Sequence, residues 1–139
     1  MFFSMLHPLA VHFPMALLVS GTLFRLMGKI QKEDAILEAG RFNLIFGFWT
    51  LPPAFLIGLL GKSEIKIQPA FESYIDSHLL YSSLAFGIFA VIIILNRLPK
   101  NRLSGFLHYL LCIFGLAAIL ATGFFGGELV HRFDLPIMR

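Results

Sequence analysis

Five histidines carry most of the chemistry this sequence offers: His7, His12, His78, His108 and His131. Imidazole is a ligand for zinc, copper and iron, and the axial ligand of many haems. Glu128 and His131 add a Glu-x-x-His pair, which lies about 60° apart on a helix and is the spacing of carboxylate-bridged metal bundles. Those bundles need the motif twice, with further glutamates, and the apolar windows hold no other carboxylate. Glu72 and Asp76 before helix three are the only nearby carboxylates, so the sequence favours one ion held by Glu128, His131 and another histidine over a dinuclear site. The plain alternative for Glu128 is an interfacial pair with Arg132. Cys112 is the only cysteine, so no intrachain disulfide can form. No nucleophile triad, phosphate-binding loop or CxxCH haem attachment site occurs.

The elements that must position these groups are apolar. Hydrophobic residues make up 58% of the chain, charged residues 14%, and the mean hydropathy is +0.82. A soluble domain of this size could not bury so much apolar surface. Asp, Glu, Lys and Arg are absent from residues 1–24, 42–61, 77–96 and 103–127. Each window reaches the ~20 residues needed to cross the hydrocarbon core. The chain therefore reads as one domain, 1–139: an all-α integral membrane four-helix bundle, antiparallel, with helices at approximately 6–28, 40–61, 73–97 and 103–131. Seven of the eleven basic residues (Arg25, Lys29, Lys32, Arg41, Arg97, Lys100, Arg102) fall on one side of the bundle. By the positive-inside rule that side is cytoplasmic, and both termini are on the outer side. The first window lacks the basic leader of a cleaved signal peptide, so it is expected to stay. The pI near 9.3 follows from this topology, and the basic residues form no patch suited to nucleic acid.

With this topology His7, His12, His78 and His131 gather towards the outer leaflet, and His108 stands alone near the other side. A histidine at a membrane interface needs no special role, so each taken singly reads as a hydrogen-bonded side chain. Depth singles out a pair. If helix one starts near His7 and helix three near Ser73, then His12 and His78 each lie ~7 Å below a helix start. Two imidazoles at matched depth on neighbouring or diagonal helices could hold a metal ion, or both faces of a haem iron. His7 is about 140° around the helix from His12 and reads as a cap, with Pro8 at the first helical position. Pro14, Pro52 and Pro53 each remove a backbone donor and bend or open their helices. Gly115, Ala118, Thr122 and Gly126 form a small-residue stripe on helix four, suited to close packing or to a flat cofactor beside the backbone.

The opening LHPLAVHFP (Leu6 to Pro14) and the closing GGELV (Gly126 to Val130) resemble the two ends of a bacterial membrane family, domain-of-unknown-function family 2231. Its members share a first-helix pattern close to LHPxxVHFP. They often open the third helix with a histidine, matched by His78, and end the last with roughly GGxLVYxHGxGV. The likeness spans nearly the whole chain. It carries over His7, His12, His78, Gly126 and Gly127 as site residues. His131 stands where the family pattern has tyrosine, and Phe133 where it has histidine, so the carry-over stops before them. The resemblance implies a bundle in the bacterial inner membrane and no established activity. Similar domains can occur beside redox modules such as cytochromes.

Three functions follow as expectations. One is a haem b or redox-associated protein, with iron on His12 and His78 and with His7 or His131 as substitutes, passing electrons from quinone-linked or other membrane redox subunits. A second is a structural or assembly subunit of a larger membrane complex. A third is a non-haem metal site drawn from His7, His12, His78, His131 and Glu128. An accessory or electron-transfer subunit is favoured over an enzyme. The expected partners are the lipid bilayer, other membrane subunits and a further copy of the chain, and not nucleic acid.

Overall fold

A computed structural model describes residues 1–97 and 102–135. Lys100 and Arg139, which enter the charge count above, lie outside the described residues. The chain forms four helices, α1 (Phe2–Gln31), α2 (Asp34–Glu64), α3 (Glu72–Leu95) and α4 (Arg102–His131), each long and apolar enough to cross a membrane. No strand occurs among the described residues. Large apolar side chains such as Leu9, Trp49, Phe106 and Phe124 face outward, as a lipid environment requires.

The helices run further than the charge-free windows. MFFS is apolar enough to extend α1 back to Phe2, so His7 is five residues inside the helix and does not cap it. Pro8 is likewise internal, and α1 runs through both of its prolines. At its other end α1 stops in a tight reversal. Lys32 takes the left-handed conformation (φ 58°, ψ 38°), and the Glu33 amide donates to the Gly28 carbonyl at 3.0 Å. This helix stop satisfies carbonyls that the last turn leaves open. α2 restarts at Asp34 because DAILEA is helix-forming and packs back on α1.

Two antiparallel hairpins result, α1–α2 and α3–α4. They meet along α1–α4 and α2–α3, so α1 and α3 face each other across the diagonal. The first hairpin is closed by small residues. Gly40, Gly47, Ala54 and Gly61 recur every seven residues on α2, the period of a left-handed seam, and all are buried. A Cβ at Gly40 would stand 2.8 Å from the Arg25 amide nitrogen and 2.9 Å from the Gly21 carbonyl oxygen. The two backbones are thus at the limit of approach. Leu18, Leu44, Phe89, Ile92, Cys112 and Ile119 fill the centre. At the end near His7 and His78 a second cluster, Phe71, Ile75 and Leu135, packs with Phe133 and Leu129.

Candidate functional site: a diagonal histidine pair

His7 on α1 and His78 on α3 are the two histidines that the fold brings together. Their ring centroids are 6.0 Å apart with the planes at 86°, edge to face. They lie five and six residues from their helix starts, a matched depth of ~8 Å at 1.5 Å per residue. Matched depth therefore selects His7 as the neighbour of His78, because α1 begins at Phe2, four residues before the expected start near residue 6.

Each ring is held by the same device. His7 donates from Nδ1 to the Ala54 carbonyl of α2 at 3.2 Å. His78 donates from Nδ1 to the Thr122 carbonyl of α4 at 3.0 Å. Four residues beyond each acceptor stands a glycine, Gly58 and Gly126. A Cβ at Gly58 would be 2.6 Å from His7 Cε1, and one at Gly126 would be 3.1 Å from His78 Cε1. The absent side chain lets the ring lie on the helix and reach a carbonyl already engaged in the backbone ladder. The first helix of each hairpin thus supplies an imidazole, and the second supplies a carbonyl and a glycine. In a neutral ring, donation from Nδ1 places the lone pair on Nε2, the second-shell arrangement usual for metal-ligating histidines.

The remaining site candidates are placed elsewhere. His12 is exposed, and its Nδ1 bonds the Pro8 carbonyl of its own helix. It does not face His78. His131 is exposed at the last residue of α4. Glu128 pairs with Arg132 at 3.4 Å, and Arg132 also donates to the Tyr74 hydroxyl at 2.8 Å. Gly127 has no neighbour within contact of a Cβ, unlike Gly126. Among the described residues no three of His, Cys, Asp and Glu gather in a metal-binding group. A site built from Glu128, His131 and a third ligand is therefore not assembled.

Gly58 is the residue the sequence reading missed. The cue was the spacing A-x-x-x-G at 54–58 on helix two, echoed by T-x-x-x-G at 122–126 on helix four. Two apolar clefts lie on the bundle surface. One, of about 260 Å³, is lined by Pro52, Phe55, Leu59 and Phe86; the other, of about 550 Å³, by Tyr81, Ile88, Leu111 and Phe114. Neither is lined by a histidine. The imidazoles offer the donor chemistry that haem iron takes, and they lie outside both clefts.

At the opposite end His108 is buried. Its Nε2 accepts from Arg25 Nε at 3.3 Å, and Cys112 Sγ is 3.7 Å from the same nitrogen.

No curated protein and no solved structure matches this chain. A family's sequence profile does match, over residues 4–138, which takes in His7, His78 and both glycines. That span is nearly the whole sequence, and the chain belongs to the family described as predicted membrane protein, DUF2231.

Proposed function

We propose that His7 and His78 form a membrane-embedded metal centre, taking one transition-metal ion between their Nε2 atoms. The observation that carries this reading is the pair itself: two imidazoles, each oriented by a carbonyl, 6.0 Å apart. Rings sharing an ion at ~2.0–2.1 Å from each Nε2 have centroids about 5–6.3 Å apart, from a tetrahedral to a linear angle. Two protein ligands leave positions open to an exogenous ligand, which suits redox or sensing chemistry better than structural ligation. The charge bias of the loops supports an outer position for this centre in the bacterial inner membrane, with both termini outside. Redox subunits of the same membrane, or quinone, are then its partners.

The test is metal analysis and an absorption spectrum of detergent-purified protein from metal-replete cells. About one ion per chain, lost in His7→Ala and in His78→Ala and kept in His12→Ala, is the expected result. A metal-free protein sinks the reading, and a b-type spectrum lost with the same two variants would replace the ion by haem.

One observation favours a second reading, a structural or assembly subunit. Each imidazole ties α1 to α2 or α3 to α4, and such fastening needs no metal. Loss of bundle stability in both variants, from a protein that never holds metal, would leave only this role.

A further inference from the structure

At the end of the bundle away from the histidine pair, two cations of α1 stand over one aromatic ring of α4. Arg25 Cζ is 5.9 Å and Lys29 Nζ 5.8 Å from the Tyr109 ring centroid. They are four residues apart on one helix face, where like charges repel. No carboxylate answers them: none of the ion pairs among the described residues includes either one. The acids at this end are Glu33, Asp34 and Glu38, of which Glu38 pairs with Arg41. Six described cations (Arg25, Lys29, Lys32, Arg41, Arg97, Arg102) face those three acids, so the end is net positive.

Arg25 is also fixed in place. Its Nε donates to His108 and its Nη1 to the Leu37 carbonyl, both at 3.3 Å. Both partners are uncharged acceptors, since His108 must be unprotonated at Nε2 to accept. Nη2 has no hydrogen bond among the described residues. One turn further into the bundle Thr22 is wholly buried, and its hydroxyl has no partner. A part-buried guanidinium held by neutral groups, beside a second cation, is a site short of one anion.

We propose that Arg25, Lys29 and Tyr109 bind a phosphate group, with Arg25 oriented for it by His108 and Leu37. A guanidinium with a free N–H edge and a flexible ammonium are the usual pair for phosphate oxygens. The tyrosine ring holds both cations towards the same point by cation–π attraction. The position, within two turns of the end of a membrane-spanning helix, is the depth of a phospholipid headgroup, although a free phosphate offers the same chemistry.

The test compares retention of phosphatidylglycerol and phosphatidylcholine by the full chain in detergent, by native mass spectrometry, with inorganic phosphate as competitor. Phosphatidylglycerol is expected to be held preferentially. Lys29→Gln should weaken it about fivefold, the ~1 kcal/mol a single basic residue contributes at a membrane surface, and Lys29→Arg should restore it. Among the described residues the Lys29 side chain makes no hydrogen bond or ion pair, so its loss leaves the fold intact, whereas Arg25→Gln also removes two interhelical bonds. Lys62→Gln, at the opposite end, should change nothing. Displacement by millimolar inorganic phosphate would assign the site to a soluble anion, and resistance to it would assign the site to the lipid. Equal retention of both lipids with no response to inorganic phosphate, or an unchanged affinity in Lys29→Gln, would overturn the proposal.

Discussion

The His7 ring lies against Gly58 so closely that a Cβ there would stand 2.6 Å from Cε1. No real side-chain contact is that short, so Gly58→Ala must push the ring off the Ala54 carbonyl. The expected outcome is loss of the ion proposed between the rings, together with about 1–3 kcal/mol of stability, the usual cost of overpacking. At Gly126 the corresponding distance to His78 is 3.1 Å, so Gly126→Ala should weaken binding without abolishing it. Metal stoichiometry and thermal unfolding of the two variants, side by side, check the order.

The three histidines at the shared end of the first and third helices should separate cleanly. His7→Ala and His78→Ala each remove one interhelical hydrogen bond, worth about 0.6–2 kcal/mol in a membrane. His12 is exposed and bonded within its own helix, so His12→Ala should change stability by less than ~0.5 kcal/mol. In a double-mutant cycle His7 and His78 should couple strongly with metal present and weakly after chelation. A coupling that ignores chelation would mean the rings interact only as a packed pair.

These outcomes bear on what could be read from the residues alone. Four spans and their alternating directions were legible because twenty uncharged residues in lipid have one stable solution, and the family was legible from LHPLAVHFP and GGELV. His78 was legible too. Its neighbour across the bundle is His7 and not His12, because the apolar MFFS extends α1 back to Phe2 and shifts the matched depth by one turn. The seam of Gly40, Gly47, Ala54 and Gly61 lies wholly within the expected second helix, but in an apolar segment small residues do not say which face packs until the partner helix is in place. Glu128 gave a metal-like spacing, yet a neighbouring arginine satisfies it.

Glycines inside these helices should divide by what stands opposite. Gly40→Ala meets the backbone of Arg25 at 2.8 Å, which cannot yield by rotation, and should cost ~2 kcal/mol or more by prising the hairpin apart. Gly87 on α3 and Gly105 on α4 have nothing within 4 Å of a Cβ. Alanine at either should stabilise its helix by about 0.5–1 kcal/mol. Unfolding of the three variants in mixed detergent measures both signs.

Cys112 is wholly buried in the central cluster. A membrane-permeant maleimide should label it only as fast as the bundle opens, and rapidly once the protein is denatured. Fast labelling of the folded protein would contradict the packing of α4 against its neighbours.

The most direct measurement is X-ray absorption at the edge of the bound metal, on wild-type protein and on His7→Ala, His78→Ala and His12→Ala. The account predicts two imidazole nitrogens at ~2.0–2.1 Å in the wild type and in His12→Ala. One should remain in each of the other two variants wherever any metal persists. A wild-type protein that holds no metal, or a ligand set unchanged by His7→Ala and His78→Ala, would contradict it.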